Sequence, residues 1–487
     1  MEAKSIKKNV VYNIIKTVSA IIFPLITFPY VSRVLLPDNI GKVSFANTIV
    51  GYFALIASLG VTVYAIRECA TVRENKQELS RVASQIFTIN LYTTMFSYLL
   101  LAIFLIFLHP LENYKTLIII QSTVILFTTL GADWLNSAME DFGYITLRTF
   151  IFQVISLVAL FLFVRKQSDY IIYAIITTVS AGGANILNIL YRRRFCKVGF
   201  ILNVEWKRHF APILSLFVMQ LAQIVFCSAD ITMLGLIHSD YEVGLYTAAV
   251  KIYNIVNQVM ASILLVVMPR LSSAFAQKNY SAINELLRKI FGFLMALGLP
   301  CTVGVVMLSK EIMQIVGGDE YISAAPVLQI LMLALFFSLF GGTFIGNIIL
   351  LPSKKEKPYL NVCCITAVVN VVLNAVLIPF FGIYGAAATT AFSTLFILLL
   401  LLPKVEKEIN IGKIWKLILL PVIGCIFIAL IALAMRLLVA KILMRTVLTV
   451  ILSVIAYGLI LIIGKYELAN NIVQAVFDKL KHILKAG

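Results

Sequence analysis

The chain has 487 residues, of which 61% are hydrophobic and only 13% charged. Soluble domains carry about twice that share of charge, so a water-soluble enzyme or binding module is excluded. The net charge of +17 does not indicate nucleic acid: most of the 40 lysines and arginines lie in short stretches between apolar runs, where headgroup contact and topology account for them.

Fourteen apolar segments follow in chain order, near 9–32, 43–66, 84–108, 116–138, 146–164, 171–190, 212–237, 244–268, 290–309, 326–349, 360–380, 383–403, 417–435 and 446–464. Each suffices for a helix to cross the roughly 30 Å hydrocarbon core. With the N-terminus in the cytoplasm, 29 of the 40 basic residues fall inside and 9 outside, and Lys16 and Lys251 lie within spans. The opposite orientation would invert that ratio. The expectation is a multi-pass protein of a bacterial cytoplasmic (inner) membrane with both termini cytoplasmic. Lys7 and Lys8 imitate the start of a signal peptide, but the run behind them is too long and Lys16 interrupts it.

Pro24 and Pro29 predict a bend in span 1; Pro300 and Pro421 punctuate spans 9 and 13. The outer loops at 165–170, 238–243 and 381–382 are a few residues each. The longer polar stretches, at 67–83, 191–211, 270–289, 404–416 and after Lys465, are cytoplasmic. Residues 270–289 and 466–485 mix apolar and charged positions at helical spacing, as amphipathic helices on the inner leaflet would. No soluble catalytic domain fits anywhere, so the chain is not expected to be an enzyme. The seven cysteines show no metal-ligand spacing, and Gly317-Gly318 and Gly341-Gly342 lack the lysine of a phosphate-binding loop. Neither a cofactor nor a metal is expected.

An internal repeat joins two segments 203 residues apart. Ile40-Gly41-Lys42-Val43-Ser44-Phe45-Ala46-Asn47 opens span 2, and Val243-Gly244-Leu245-Tyr246-Thr247-Ala248-Ala249 opens span 8. Six spans separate them, so the halves share one orientation, the pattern of transporters whose substrate sits between two lobes. The division expected is an N-lobe of helices 1–6 (residues 1–197), a C-lobe of helices 7–12 (198–403), and 404–487 with helices 13 and 14 and an amphipathic tail.

Charge within spans is costly, about 2.5–3.5 kcal/mol per residue at the helix centre, and such groups generally face a cavity or partner. Lys16 lies seven residues into span 1, Lys251 seven residues into span 8, and Asp230 seven residues before the end of span 7. Asp230 and Lys251 thus share a depth on consecutive helices, as a structural ion pair or a substrate or ion site. Lys16 either snorkels to the headgroups or, with Lys251, attracts an anion such as a phosphate or pyrophosphate. Arg33 is a further basic candidate at the outer end of span 1, Asp133 a candidate for proton or sodium coupling, and Arg148 reads as a positive-inside residue opening span 5. Asn13, Asn47, Tyr246, Asn254 and Asn257 are candidate sugar contacts or, alternatively, interhelical hydrogen bonds.

The segment Phe23-Pro24-Leu25-Ile26-Thr27-Phe28-Pro29-Tyr30-Val31-Ser32-Arg33-Val34-Leu35, followed by Pro37 and Ile40-Gly41, resembles the first hairpin of bacterial polysaccharide-unit flippases. These belong to the multidrug/oligosaccharidyl-lipid/polysaccharide exporter superfamily. Val243 to Ala249 with Met268-Pro269-Arg270-Leu271-Ser272 resembles that family's eighth span, and Gly382-Ile383-Tyr384-Gly385-Ala386-Ala387-Ala388 the start of its twelfth. The resemblance implies an all-α, MATE-like membrane bundle of about 14 helices, two parallel six-helix lobes plus two C-terminal helices. It implies alternating-access transfer of undecaprenyl-pyrophosphate-linked oligosaccharide from the inner to the outer leaflet. The partners implied are that lipid, membrane lipids, and a polysaccharide polymerase with its assembly proteins. Helices 13 and 14 would offer the lipid tail a groove. The alternatives are a cation-coupled multidrug exporter of the same fold and a peptidoglycan lipid II flippase.

Overall fold

The computed structural model describes residues 6–406, 409, 412, 414–470 and 474; the side chains of 6–11, 13, 14, 16, 219 and 263–266 lie outside that description. The described residues form helices and connecting turns, with no strand among them. A helix satisfies its own backbone polar groups, which hydrocarbon leaves unsatisfied otherwise. Eleven helical segments among the described residues are long and apolar enough to cross a membrane. The chain falls into two compact units, Met1–Thr247 and Ala248–Gly487.

The first unit opens with α1 (Ile6–Ser58), which runs through two expected spans and leaves helical geometry at Leu36, with φ 62° and ψ 169°. Pro37 explains the position: its ring disfavours the helical region for the preceding residue, and it has no N–H to continue the ladder. Pro24 and Pro29, where a bend is expected, both stay in helical dihedrals. After α2 (Val61–Thr71) comes α3 (Lys76–Phe107), N-capped by Asn75, whose side chain accepts from the Gln77 and Glu78 amides at 3.0 and 3.2 Å. Next are α4 (Lys115–Gly131), α5 (Asp133–Ala138) and α6 (Phe142–Phe163). Then α7 (Tyr170–Thr178) passes through a π-helical turn at Val179–Gly183 into α8 (Ala184–Tyr191). The long α9 (Trp206–Ile237) packs along α1, which also receives α3, α4 and α6. The unit ends in the first turns of α10 (Asp240–Ala261). A core of Tyr64, Leu79, Ile86, Trp134 and Ile213 ties α2, α3, α5 and α9 together.

In the second unit, α11 (Ile263–Ala276) leads into α12 (Tyr280–Met307). The expected amphipathic segment 270–289 is split between them, with Asn279 capping α12 by accepting from the Ala282 amide at 3.1 Å. Its periodicity appears as expected: Leu271, Ile283 and Leu287 are buried, while Glu285, Arg288 and Lys289 are exposed. The expected span 8 likewise divides, at Ser262, between α10 and α11. Of the amphipathic tail predicted at 466–485, only 466–470 and 474 are described. After α13 (Ser309–Gly317), α14 (Ala325–Ser338) continues as a π-helix over Leu339–Leu350. The next helix, α15 (Glu356–Leu401), holds two expected spans and turns at Gly382, whose φ of 50° suits glycine. Last are α16 (Ile414–Leu438) and α17 (Ile442–Ile463). α12 packs on α14 and α16, and α16 on α17. Two phenols pin the end of the chain to α12: Tyr457 donates to the Ala296 carbonyl at 2.8 Å and Tyr466 to that of Gly292 at 2.9 Å.

Candidate functional site

Three helices of the first unit converge on a buried carboxylate. Asp230 on α9 is 5% exposed and accepts from the hydroxyl of Tyr246 on α10, itself 1% exposed. Nearby, the Tyr52 hydroxyl of α1 lies 2.9 Å from Thr232 Oγ1 of α9. Burying a carboxylate in apolar surroundings is costly unless hydrogen bonds replace its water, and Tyr246 does so here. Tyr246, expected to face a sugar, therefore directs its hydroxyl at a carboxylate.

At one end of the same helices the repeat partners meet. A Cβ on Gly41 would lie 1.8 Å from the Asp240 carbonyl oxygen, and one on Gly244 2.0 Å from that of Pro37. Only glycine permits this backbone-to-backbone approach. The two segments that resemble one another in sequence are thus apposed at their matching glycines.

The remaining predicted residues distribute as follows. Lys251 on α10 is half-buried and Asn257 half-buried, whereas Asn254, Asn47 and Arg33 are exposed. The side chains of Lys16 and Asn13 lie outside the described residues.

Asp133 is not an isolated carboxylate. The Arg148 guanidinium, with 4% of its side chain exposed, donates to its Oδ1 through Nη2, reaches the Ala184 carbonyl at 3.4 Å, and lies 5.4 Å from the centre of the Tyr144 ring. Its Nε is buried without a hydrogen-bond partner among the described residues. Arg148 is thus a buried ion-pairing residue, rather than a headgroup-facing one at the mouth of span 5. The signal available in the sequence was Asp133, in the preceding span at a similar depth.

A second network escaped prediction. His209 on α9 is buried, with Nδ1 2.7 Å from the Tyr64 hydroxyl and Nε2 2.7 Å from Gln85 Oε1. A glutamine carbonyl can only accept, so Nε2 carries the proton. Gln85 also reaches Glu205 at 3.3 Å, and Arg81 donates to the same carboxylate. The Arg81 hydrogen bond holds the Glu205 carboxyl below the usual carboxylate range, with Gln85 adding to the effect. The extended segment before Glu205 is strapped to α3, where the Gly199 amide donates to Ser84 Oγ at 3.3 Å and the Ile201 amide to Thr88 Oγ1 at 3.0 Å. Only the folded chain brings these residues together, since Gln85 and His209 are 124 positions apart.

The second unit contains a cavity of about 590 Å³ between α10, α12, α16 and α17, bounded among others by Val256, Pro300, Ile428, Val454 and Leu461. Its size lies within the usual range for a small-molecule site, but its walls offer almost no polar atoms to orient a polar ligand. Its lining is almost wholly apolar.

Comparison with known proteins places this architecture. Residues 6–275 match the polysaccharide biosynthesis protein family, and residues 215–376 also match the MatE family. The chain is 24% identical over 396 residues to an Escherichia coli K12 protein named "Putative O-antigen transporter", covering 79% of this chain and 93% of that one. A Shigella dysenteriae protein of the same name is 23% identical, over 82% of this chain and 100% of its own length. Among solved structures, a lipid II flippase in an inward-closed conformation superposes with a TM-score of 0.76 at 16% identity, covering 95% of this chain and all of that one. An inward-facing MATE-family multidrug transporter gives 0.57 at 14% identity, covering 82% and 93%. The fold is therefore that of the multidrug and lipid-flippase transporters, and the homologues are transporters rather than enzymes. The chain is a multi-pass membrane transporter and belongs to the polysaccharide biosynthesis protein family.

Proposed function

We propose that the protein carries undecaprenyl-pyrophosphate-linked oligosaccharide units from the inner to the outer leaflet of the bacterial cytoplasmic membrane, by alternating access, for surface polysaccharide assembly. The observation that carries this reading is the apolar cavity of the second unit, lined in part by α16 and α17. A lipid-linked substrate needs two environments, one for a polyprenyl chain and one for a charged, sugar-bearing head, and this cavity suits the first. For the second, Lys251 and Lys16 supply positive charge at similar distances from opposite ends of their spans, where opposite charges about 4 Å apart attract by about 4 kcal/mol at an effective dielectric near 20. Arg33 adds charge at the outer rim, and Asn13, Asn47, Asn254 and Asn257 are within the sugar-binding set. Asp230, held by Tyr246, faces the same problem of buried charge as Lys251, and its pairing with that lysine belongs to this proposal.

The lobes of the cycle are residues 1–197 and 198–403, both termini are cytoplasmic, and a polymerase with its assembly proteins receives the product outside. A lipid II flippase needs the same lipid-handling parts, and the fold similarity supports it equally. A multidrug exporter would use Asp133 or Asp230 for cation coupling; Asp133 is engaged by Arg148, which disfavours it.

Depleting the protein from its host and assigning lipid-linked oligosaccharides to a leaflet tests the proposal. Completed units should accumulate on the inner leaflet. Unchanged pools with new sensitivity to cationic compounds would instead establish the drug exporter. Arrest of peptidoglycan synthesis with loss of viability would establish the lipid II flippase. Lys251→Ala and Lys16→Ala should each abolish export while protein remains in the membrane.

A further inference from the structure

A charged cluster lies beside the lining of the apolar cavity. Glu311 of α13, 3% exposed, receives the Arg436 Nε at 3.0 Å and Nη2 at 3.3 Å, while Arg445 Nη2 lies 3.3 Å from the same carboxylate. Arg436 Nη2 also donates to the carbonyl of Met307, which lines the cavity. Thr449, another lining residue, donates from Oγ1 to the Arg445 carbonyl at 2.7 Å.

Glu311 sets one negative charge against two guanidiniums, so these three side chains together carry one positive charge. Arg445 Nε is buried without a hydrogen-bond partner among the described residues. The adjoining turn carries Asp319 and Glu320, and Gln314 Nε2 donates to Asp319 Oδ1 at 2.6 Å. A purely structural tether of three helices would need one arginine. The second leaves an anion-seeking group one helical turn from Thr449 of the hydrocarbon-lined space. The charge pattern of the sequence makes the location notable as well. Of the nine basic residues that the topology places outside, four (Lys310, Arg436, Lys441 and Arg445) flank these helix ends, on the side where the positive-inside rule disfavours them.

We propose that Arg436 and Arg445, held by Glu311, bind the phosphate of a lipid whose chain occupies the apolar cavity of the second unit. Guanidinium forks match phosphate oxygens, and the neighbouring hydrocarbon site separates a lipid phosphate from a free one. The proposal rests on the flippase reading only for its place in the cycle, as a station for the lipid carrier near the outer surface.

The test is lipid binding to the purified full-length protein, followed by native mass spectrometry with undecaprenyl phosphate, undecaprenol, phosphatidylglycerol and inorganic phosphate as probes. Undecaprenyl phosphate should bind at least about tenfold more tightly than undecaprenol, the scale of one or two charge-assisted hydrogen bonds. The triple variant Arg436→Gln, Arg445→Gln, Glu311→Gln, which strands no buried charge, should bring the two to parity. Gly458→Phe should weaken both, because a side chain there points into open space beside the cavity. Size-exclusion profile and helical circular dichroism report folding of each variant, and Arg445→Lys, with an intermediate loss, serves if the triple variant aggregates. Equal binding of phosphatidylglycerol would support the site as a general lipid-phosphate seat, and its failure to compete would support the polyprenyl carrier as the ligand. Undecaprenol binding as tightly as its phosphate, an unaffected triple variant, or displacement of the lipid by inorganic phosphate alone would each overturn the proposal. Continued export without arginine-dependent binding would remove this site and spare the flippase reading. Arginine-dependent binding with unchanged lipid-linked pools on depletion would do the reverse.

Discussion

Gly244→Ala should shift the protein away from the conformation described above. The new Cβ would start 2.0 Å from the Pro37 carbonyl oxygen, and contacts under 3.0 Å are essentially never tolerated, so the two segments must part by about 1 Å at that point. The contact is backbone against Cβ, with no side chain to swing aside, and overpacking of this kind costs about 1–3 kcal/mol. In a two-state transporter that is a roughly 5- to 150-fold change in the ratio of states. Helix propensity pulls the other way, since alanine is favoured over glycine by about 1 kcal/mol in a helix interior. The assay is a pair of cysteines at Asp38 and Tyr241, flanking the junction, in a background without the seven native cysteines, crosslinked in membranes by a short reagent. Yield should fall at least about fivefold in Gly244→Ala, and likewise in Gly41→Ala, where the Cβ would lie 1.8 Å from the Asp240 oxygen. A yield that is unchanged or raised in both variants would mean that helix propensity outweighs the steric term, and the reasoning would be wrong.

Other perturbations follow from the polar contacts. Asp133→Asn leaves the Arg148 charge buried and should cost about 3 kcal/mol by thermal unfolding in detergent, with Arg148→Met in the same chain restoring most of it. Tyr246→Phe removes a hydrogen bond to buried Asp230 and should cost about 1.5–3 kcal/mol, read in the same assay. Because Arg81 and Gln85 depress the Glu205 carboxyl in the fold, its contribution is complete above the ordinary glutamate value of 4.5 and is lost as pH falls through the lower folded value. Protection of the 197–205 amides in hydrogen exchange should therefore decline on acidification through that window, and Glu205→Gln should abolish the pH dependence.

The positions of the helices and the fold class were legible because the membrane acts on sequence directly: hydrocarbon selects apolar runs of a set length, whatever their neighbours. The glycine motifs of the repeat were legible for a similar reason, since a backbone approach leaves its mark on residue type, and Gly41 and Gly244 do oppose each other. Pro24 and Pro29 keep helical dihedrals, and the departure from helical geometry along α1 falls at Leu36, before Pro37, whose ring disfavours the helical region for the residue preceding it. The buried state of Arg148, the bridging of Gln85 and Tyr64 by His209, and the gathering of Arg436 and Arg445 on Glu311 had no comparable signature. Each depends on which faces of distant helices meet, and an arginine at a helix end reads alike whether it points to headgroups or into the protein. Sequence by itself thus determined which segments are helical and apolar enough to cross a membrane, a matter of each segment's own transfer free energy. Tertiary structure alone decided which charges are paired and where the hydrocarbon cavity opens, because those properties belong to contacts between segments.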